Sequence, residues 1–453
     1  MTDVRGARSL LRGWGRTAPS AAAVAVPTNA AELTKAVGAA PARGAVPRGL
    51  GRAYGDAAQN AGGLVVETVG VSGLLGFDER TGEARLAAGT SFDEIMRTFV
   101  PKGWFVPVTP GTRFVTVGGA IAADIHGKNH HADGTLGQHV RSMELALVDG
   151  TTRTLTADGT PDEFWATCGG VGLTGTILEA TIALQPIETS RVAVDTDRLT
   201  DFDDLLTRLR DGRNRHRYSV AWIDPMARGR HLGRSVLTQG DFAPRAALAP
   251  GDDPLAFHPR TTLTVPHAPS GLINRASVRA FNELWFRKAP ARRRDELQSI
   301  STFFHPLDLA SSWNRIYGRR GFLQWQCLVP FGAEDVLRQC LEALGSHGAP
   351  SFLAVLKTMG AAAPGPLSFP APGWTLALDV PAGSLELAAV LDRLDDLVVG
   401  AGGRQYLAKD SRLRPELLPA MYPRLDEWRA VRDRLDPERR LNSDLARRLD
   451  LLG

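Results

Sequence analysis

Residues 126–131, HGKNHH, bring together side chains that could bind a metal ion, move a proton or contact an anion. His126 and His130 are four residues apart, which is the spacing of two zinc ligands on one face of a helix. Gly127 weakens such a helix, and Lys128 stands where the H-E-x-x-H motif has its glutamate. Because a lysine ammonium would repel a metal ion, we expect no metal here. The run instead predicts a polar loop that contacts a ligand.

The segment PRGLGRAYGD, residues 47–56, follows an apolar strand and contains Gly49, Gly51 and Gly55. Glycines allow positive φ and can turn successive N–H groups toward one point, which makes a cradle for a pyrophosphate. The spacing matches neither the Rossmann fingerprint nor the P-loop. It therefore argues against the usual nicotinamide and ATP sites and leaves other diphosphate cofactors open. A plain glycine-rich turn remains the alternative.

Two further glycine clusters, residues 109–127 and 168–175, recur at intervals suited to loops that meet one extended ligand. In the first cluster, Gly118 and Gly119 would open a helix of small residues whose N-terminal N–H groups face a phosphate or a ring carbonyl. Close packing of the backbone is the alternative explanation.

Capping and turn signals predict the elements that must position these loops. Asn29 and Ser91 each precede a glutamate by three residues, a pattern typical of helix starts. The dipeptide Asp149-Gly150 predicts the turn of a hairpin that begins near residue 139. Short apolar strands alternate with helices through the first half of the chain, so we expect an α+β or α/β sheet there.

From about residue 190 to 400 the glycine loops become fewer and the helices and strands longer, which indicates a second domain. A proline-rich stretch, residues 240–275, predicts a mobile segment within it. The tail predicts a helix with one apolar stripe that ends where Pro437 interrupts it. The members of this stripe are Leu425, Trp428, Val431 and Leu435.

Composition restricts the class of protein without naming a function. The net charge of +4 favours anionic partners such as phosphates or lipid headgroups only weakly, and the spread of the charges does not predict nucleic-acid binding. The three cysteines include no C-x-x-C pair, so neither a disulfide framework nor a structural zinc site is expected. We find no long apolar run and no signal peptide, and we expect a cytoplasmic protein.

Five motifs together carry a family resemblance. They are RGLGRAYGD, TVGGAIAADIHGKNHH, GGVGLTG, YLAKDSR and YPRLDEWRAVRDRLDP. Over nearly the whole chain the sequence resembles the decaprenylphosphoryl-β-D-ribose 2'-oxidases, which are FAD enzymes of the vanillyl-alcohol-oxidase superfamily. The FAD loop of the superfamily is moderately specific, whereas DIHGKNHH combined with AKDSR and MYPRLDEW is highly specific.

The resemblance implies an α+β fold of two domains. Residues 1–190 and 404–453 would form the FAD-binding domain, and residues 191–403 would form an inserted substrate-binding domain built on an antiparallel sheet. The loop 47–56 would hold the FAD pyrophosphate without a covalent link from His126 to the flavin. The residues that the resemblance assigns to FAD are Gly49, Leu50, Gly51, Arg52, Ala53, Tyr54, Gly55, Asp56, Gly111, Thr116, Val117, Gly118, Gly119, His126, Gly127, Lys128, Asn129, Ile177 and Tyr406.

The resemblance also implies that a hydride passes from a carbinol carbon to the flavin while a base takes the hydroxyl proton. Lys409 matches the family's active-site lysine. As a base it must be neutral, which requires a pKa lowered by burial or by a neighbouring cation. A protonated Lys409 would instead stabilise the developing alkoxide or the reduced flavin. His126 is the second catalytic candidate, and it either moves a proton or only orients the flavin and the sugar.

Substrate contacts are implied for a further set of side chains. They are Lys128, Trp222, Gln326, Lys357 and Lys409. Gln324 and Gln326 alternate in FLQWQCLVP and so share one face of a strand, although an ordinary polar strand face remains the alternative for Gln324. Taken singly, Trp222 and the lysines would be interpreted as core and surface residues.

One segment departs from the family pattern. PGWTLALDV has Thr375 and Ala377 where family members often have asparagine and cysteine. We therefore expect no thiol beside the flavin, which argues against thiol-directed covalent inhibition and leaves hydride transfer unaffected.

The implied substrate is a polyprenyl-phosphoryl ribose, and the implied partner is an NADH-dependent keto-reductase that completes epimerisation to arabinose for cell-wall arabinan. The lipid tail implies peripheral contact with a membrane surface and leaves the periplasmic face open. Residues 281–294, FNELWFRKAPARRR, place aromatic side chains beside basic ones, which suits an anionic lipid interface. A solvated helix end is the alternative.

Two other functions remain open from the sequence. An FAD-dependent alditol or aldonolactone oxidase would keep the flavin and change the substrate. Covalent-flavin relatives of that kind often have a histidine in the pyrophosphate loop, and residues 47–56 contain none. A basic membrane-surface scaffold that keeps an FAD-like fold is the non-enzymatic alternative.

Overall fold

The computed structural model describes residues 8–453. The part up to residue 190 forms two larger sheets and one two-stranded sheet, with short helices packed against them. Its strands are β1 (Arg8–Leu11), β2 (Ser20–Ala25), β3 (Ala45–Arg48), β4 (Leu64–Glu67), β5 (Leu74–Asp78), β6 (Glu83–Ala87), β7 (Trp104–Phe105), β8 (Val140–Ala146), β9 (Thr152–Thr156), β10 (Thr176–Ala183) and β11 (Gln185–Pro186). Its helices are α1 (Ala30–Gly38), α2 (Phe92–Phe99), α3 (Val117–Ala122), α4 (His130–Asp133) and α5 (Pro161–Thr167).

The two larger sheets differ in strand direction, and the small one pairs β7 with β11. The first has the order β1-β2-β4-β3, with β4 parallel to both β2 and β3. The second is antiparallel, in the order β5-β6-β10-β8-β9. Helix α1 contacts β4 of the first sheet and β8 and β10 of the second, and its buried Leu33, Ala36 and Val37 join both sheets into one core.

The local signals in this part of the sequence are confirmed. The Asn29 side chain accepts a hydrogen bond from the backbone N–H of Glu32 at the start of α1. Ser91 and Glu94 form a complete capping box at the start of α2. Strands β8 and β9 form the predicted hairpin, and Gly150 adopts a φ of +85° in its turn. Each of these caps and turns joins residues that are only a few positions apart, so the sequence pattern specifies them directly.

The middle of the chain is built on one large antiparallel sheet, as the resemblance predicts. Its strands and those beside it are β12 (Arg191–Leu199), β13 (Tyr218–Ile223), β14 (Ser235–Phe242), β15 (Leu263–Thr264), β16 (Arg292–Ser299), β17 (Ala310–Ser311), β18 (Phe322–Pro330), β19 (Ala354–Met359) and β20 (Gly373–Pro381). The helices are α6 (Phe202–Gly212), α7 (Arg275–Lys288), α8 (Ile300–Phe304), α9 (Glu334–His347) and α10 (Leu385–Gly400).

The tail adds β21 (Arg404–Gln405), α11 (Leu418–Met421), α12 (Leu425–Leu435) and α13 (Asp444–Arg448). Strand β21 is the last strand of the large sheet, whose order is β16-β12-β14-β13-β19-β20-β18-β21. The division of the chain at residues 190 and 403 stays a prediction, and β21 ties the tail to the sheet of the middle part.

The two faces of the large sheet carry different side chains, because neighbours along a strand point to opposite sides. One face packs its apolar side chains, such as Trp325 and Cys327, against α6, α9 and α10. The other face presents Gln324 and Gln326 of β18 and Lys357 of β19, as the alternation of the two glutamines predicts.

The tail returns to the first sheet. Leu441 bridges Ala45 of β3 in parallel, and α12 packs against α5. The predicted stripe on α12 is confirmed, since Leu425, Trp428, Val431 and Leu435 are all buried. In the described range, 8–453, no helix is long and apolar enough to cross a membrane.

A buried ion pair fixes the end of α12. Arg432 and Asp436 are both fully buried and lie 2.9 Å apart, and Asp436 also accepts hydrogen bonds from the N–H groups of Arg440 and Leu441. In Asp436→Ala the buried guanidinium of Arg432 loses its buried counter-charge and keeps only that of Asp433, whose side chain is exposed. We therefore expect the free energy of unfolding to fall by about 3 kcal/mol. Urea denaturation would measure this loss.

Asp426→Ala is the matched control, because Asp426 lies in the same helix with a side chain that is 92% exposed beside Arg429. We expect little change in that variant. Equal losses in the two variants would contradict a structural role for the buried pair.

Candidate functional site

The loop of residues 47–56 is packed between two segments that are distant in sequence. A Cβ atom on Gly49 would lie 2.2 Å from Thr116 Oγ1, at the start of α3. A Cβ atom on Gly55 would lie 1.9 Å from the carbonyl oxygen of Asp410. The backbone N–H of Tyr54 donates to the carbonyl of Ala408. Only glycine allows this approach, which brings the first glycine loop against α3 and against the segment that contains Lys409.

The same loop offers a cradle of backbone donors. No acceptor among residues 8–453 faces the N–H groups of Leu50, Gly51, Arg52 and Ala53. The Arg52 guanidinium lies 3.9 Å from the centroid of the Trp14 ring, and its buried Nε has no partner within the described chain. Unpaired N–H groups and a nearby guanidinium match the needs of a diphosphate. The loop therefore fits the pyrophosphate of FAD.

The second glycine cluster continues this surface. Thr116 caps α3 by accepting a hydrogen bond from Gly119, and Gly118 lies beside Ile177, whose Cβ would be 3.7 Å from a Cβ at that position. Gly111 is exposed, with open space where a Cβ would stand. Thr116 of this cluster contacts the first loop at Gly49, whereas Val117 is wholly buried in the core.

Several predicted FAD residues serve the protein's own packing. The Asp56 carboxylate accepts two hydrogen bonds from Arg448 of α13, at 2.7 and 2.9 Å. Asn129 is buried and donates to the Pro107 carbonyl. The third glycine cluster, residues 168–175, packs on α3, where Gly169 donates to the Ile121 carbonyl. Close backbone packing therefore accounts for that cluster.

His126 lies at the centre of the candidate site. Its Nδ1 is 2.8 Å from Lys357 Nζ, and its Nε2 is 3.0 Å from Gln326 Nε2. The ring packs against Tyr406, with centroids 5.3 Å apart, and against Phe369. Burial, together with the charges of Lys357 and Lys409, lowers the pKa of His126 well below its usual value. The imidazole is therefore neutral at physiological pH.

A neutral imidazole has one donor and one acceptor nitrogen, so Lys357 and Gln326 cannot both donate to His126. If the amide of Gln326 donates to Nε2, then Nδ1 carries the ring proton. Lys357 must in that case be a neutral amine that accepts a hydrogen bond from Nδ1. If Lys357 donates, Gln326 must turn its oxygen to the ring. Burial and the charges of Lys128 and Lys409 lower the pKa of Lys357 to about 7, so both arrangements are accessible near neutral pH.

Lys409, whose charge acts on His126, has its Nζ 3.9 Å from the centroid of the Tyr54 ring. Burial lowers its pKa to about 8, while the charge of Asp379 opposes the shift. Asp379 Oδ1 accepts a hydrogen bond from Gln324 Nε2 at 2.5 Å. Gln324, Gln326, Tyr406 and Lys409 line one cavity. The site can therefore provide a lysine whose amine becomes available close to neutral pH.

The remaining predicted substrate residues lie at different distances from this centre. Lys128 donates to the Phe303 carbonyl and lies 4.1 Å from the centroid of the Phe303 ring, and burial lowers its pKa to about 7. Its charge acts on Lys357, which places it near the cluster. Trp222 donates its indole N–H to the Phe352 carbonyl, so its polar atom is already engaged.

Thr375 and Ala377 are on the site-facing side of β20. Thr375 Oγ1 accepts a hydrogen bond from Gln326 Nε2 at 3.2 Å, and Ala377 pairs with Gln326 in the sheet. The nearest strand cysteine, Cys327, points to the opposite, helix-covered face. The position therefore offers no thiol, in agreement with the sequence.

Asp379 is the residue of the site that the sequence interpretation missed. It is completely buried, and burial raises its pKa to about 7 against the effects of Gln324 and Lys409. The available signal was a single carboxylate in an otherwise apolar strand, WTLALDV, because a charge in such a strand needs a partner.

The arrangement does not resemble a metal centre. His126 precedes α4 rather than sharing a helix with His130, and the two rings are 6.4 Å apart at 89°. Within the described part of the chain, no group of three or more histidine, cysteine or acidic residues could hold a metal ion.

Comparison with known proteins agrees with the cofactor that the loop fits. A family model described as an FAD binding domain matches residues 21–156, and one described as D-arabinono-1,4-lactone oxidase matches residues 382–449. The chain is 44% identical to a Mycolicibacterium smegmatis protein named decaprenylphosphoryl-beta-D-ribose oxidase, over 98% of this chain and 97% of that protein. It is 43% identical, over 78% of this chain and 97% of the relative, to a Streptomyces coelicolor protein described as uncharacterized in the mprA 5' region.

A solved structure of BBE-like 1 from Physcomitrella patens superposes with a TM-score of 0.68 at 17% identity, covering 93% of this chain and 90% of that one. At this identity the likeness concerns the fold. The predicted α+β FAD-binding fold and the FAD cofactor are confirmed by these matches.

The contact between Gly55 and Asp410 predicts how FAD binding can be lost. We expect Gly55→Ala to purify with less than half of the FAD bound to the unchanged protein, because its Cβ would push the glycine loop away from the Lys409 segment. The flavin absorbance near 450 nm per protein chain is the measurement.

Gly400→Ala is the matched control, since Gly400 has no atom within 4 Å of the added Cβ. That variant is expected to retain its FAD. Full retention of FAD by Gly55→Ala would show that the close approach is unnecessary for the cofactor.

Proposed function

Since this chain belongs to the decaprenylphosphoryl-β-D-ribose oxidase family, we propose that it oxidises the 2'-hydroxyl of a polyprenyl-phosphoryl ribose to a ketone, with FAD bound non-covalently. One observation carries the proposal. The glycine loop that fits the FAD pyrophosphate packs directly on the segment of Lys409. Tyr406 of that segment donates its backbone N–H to the carbonyl of Gln326, whose side chain contacts His126.

FAD supplies the acceptor for the hydride of the carbinol carbon. The residues of the chain hold the sugar and handle the hydroxyl proton. Lys409, with a pKa of about 8, is available as a neutral base in an appreciable fraction of molecules near neutral pH. If it stays protonated, it stabilises the alkoxide instead. His126 is held between Lys357 and Gln326. These contacts support a His126 that orients the flavin and the sugar, and they leave proton transfer by its ring as a second role.

Lys128, Lys357 and Lys409 together favour an anionic substrate. The charges of Lys128 and Lys409 both act on Lys357, so Lys357 is repelled by two neighbouring cations. An anion that enters would relieve this repulsion and raise the pKa of each lysine. A phosphodiester near a sugar hydroxyl meets this requirement, whereas a neutral alditol does not.

We propose that the ketone product passes to a separate NADH-dependent reductase, because reduction from the opposite face would complete epimerisation to the arabinose form. The chain itself matches an FAD binding domain and lacks the usual nicotinamide motif in its glycine loop. A second catalyst is thus required for the reductive half.

The lipid tail of this substrate supports peripheral contact with a membrane surface. Helix α7 has an exposed apolar stripe of Phe281, Leu284 and Trp285, with exposed fractions of 42%, 68% and 45%. The basic residues of the segment 281–294 offer less free positive charge to a membrane than the sequence suggests. They are divided between α7 and β16, and carboxylates pair with Arg287, Arg293 and Arg294.

The alternative substrate class is an alditol or aldonolactone. The match of residues 382–449 to a D-arabinono-1,4-lactone oxidase model supports the aldonolactone only weakly. Anaerobic reduction of the bound flavin by a panel of polyprenyl-phosphoryl sugars, alditols and aldonolactones tests both functions. Bleaching by the phosphoryl ribose alone supports the proposal. Bleaching by an aldonolactone without response to the phosphoryl ribose would replace it with the alternative.

Lys409→Ala tests the catalytic lysine. We expect FAD to remain bound and the rate of flavin reduction by substrate to fall by a factor of about 100 or more, as for loss of a general base. Stopped-flow absorbance near 450 nm measures the rate. The exposed Lys35 of α1 provides a control, Lys35→Ala, that should leave the rate unchanged. Reduction at full rate in Lys409→Ala would remove this lysine from the mechanism.

Replacing both Leu284 and Trp285 by serine tests the membrane contact. We expect binding to vesicles that contain anionic lipid to weaken by a factor of roughly 10 or more, because two apolar side chains no longer leave water on docking. Co-sedimentation with vesicles measures the binding. Leu385→Ser removes an even more exposed leucine elsewhere and should have no effect. Unchanged binding of the double variant would exclude α7 as the contact.

A further inference from the structure

Asp379 has no role in the chemistry described so far, although its position is unusual for a carboxylate. It lies in β20 directly opposite Gln324 of β18 and is wholly buried. The Gln324 amide donates to Oδ1, whereas Oδ2 has no hydrogen-bond partner in the part of the chain that the structure describes. Leaving a buried carboxylate oxygen unsatisfied is costly, so a compensating charge is required.

The groups that face Asp379 come from several elements. Its charge acts on the phenols of Tyr54, in the glycine loop, and Tyr317, before β18, and raises the pKa of each. The cation that acts on it is Lys409, of the segment after β21. The ammonium of Lys409 lies over the Tyr54 ring. Burial lowers the pKa of Lys409, and the charge of Asp379 opposes this shift. Gln324 donates to Asp379 and faces the Tyr54 phenol, so both charges adjoin the same residues. At Asp379, Gln324 and then Lys409 oppose the effect of burial on the pKa.

We propose that Asp379 is a positioning residue that acts through Lys409, holding it as an ammonium in the resting site and setting the pH at which its amine becomes free. The proposal rests on the proposed function only for the part that Lys409 plays in the reaction. The electrostatic link between the two residues concerns the protein alone.

The link has a direct consequence for proton transfer. When the neutral amine of Lys409 takes a hydroxyl proton, the O–H bond breaks, an N–H bond forms and the alkoxide keeps the electron pair. The charge of Asp379 acts on the ammonium that results, so the carboxylate stabilises the products of this step more than its reactants. Without the carboxylate, the amine would be free at lower pH and would be a weaker base.

The experiment measures the pKa of Lys409 without any substrate. The FAD-loaded protein is labelled with trace acetic anhydride between about pH 6 and 10, because only neutral amines react within this range. Peptide mass spectrometry gives the label on Lys409 relative to the exposed Lys35. In Asp379→Asn we expect the labelling pKa of Lys409 to fall by about one unit, a shift typical of losing an opposite charge. An unchanged labelling pKa would overturn the proposal.

Asp124→Asn is the matched control. Asp124 is also fully buried, accepts a hydrogen bond from Ser368 and lies beside the Tyr406 phenol, yet Lys409 does not influence it. Its substitution should leave the labelling of Lys409 unchanged. A shift equal to that in Asp379→Asn would overturn the proposal by showing that any buried aspartate has this effect.

Gln324→Leu keeps the proposal testable if Asp379→Asn fails to fold. Loss of the amide donor makes the carboxylate easier to protonate, so the labelling pKa of Lys409 should fall, by less than in Asp379→Asn. A rise or no change in a folded, FAD-loaded Gln324→Leu protein would overturn the link.

The pH profile of flavin reduction by the phosphoryl ribose separates this inference from the proposed function. In Asp379→Asn the limb that belongs to Lys409 should move to lower pH. Movement of the acidic limb identifies Lys409 as a base, and movement of the alkaline limb identifies it as a cationic stabiliser. A shifted labelling pKa with no flavin reduction in any protein would retain the link and refute the proposed substrate. A shifted labelling pKa with an unmoved profile would refute the catalytic part of the inference.

Discussion

The burial of ionisable side chains is the constraint on which this structure depends. His126, Lys357, Lys409 and Asp379 all lie between the polar face of the large sheet and the glycine loops. Moving an ion into such an environment costs several kcal/mol unless it is paired or neutralised. The site meets this cost in two ways. Its lysines and histidine have lowered pKa values, and its one carboxylate has a raised pKa and accepts a hydrogen bond from Gln324. The same features make proton transfer accessible near neutral pH.

The fold makes this polar interface possible by separating two functions of one sheet. Strands β18, β19 and β20 bury apolar side chains under α9 and α10, which supplies the stability of the middle part. Their opposite faces are then free to carry glutamine, lysine and threonine. The glycine loops provide the cover, because backbone without side chains can approach Thr116 and the Lys409 segment closely. Stability and chemistry therefore use alternate positions of the same strands.

Short-range features of this protein were readable from the sequence, and most long-range ones were not. The caps at Asn29 and Ser91 and the shared face of Gln324 and Gln326 follow from spacing alone. The family resemblance supplied the sheet type, the FAD loop and the importance of Lys409. Asp379 escaped because a lone carboxylate gives no local sign of burial, and the partner that explains it is 30 residues away along the printed chain. Asp56 shows the same limit, since its arginine lies at the far end of the sequence.

The path of the tail has a consequence for biosynthesis. Leu441 pairs with Ala45, Arg440 donates to the carbonyls of Gly38 and Ala40, and Arg448 holds the glycine loop through Asp56. Residues 38–56 thus wait for residues 440–448 to be made. Contacts of such sequence separation form slowly because a long loop must close. A nascent chain can complete its large sheet earlier, but the cradle for the dinucleotide closes only after residues 440–448 have left the ribosome, so cofactor capture follows the synthesis of the whole middle part.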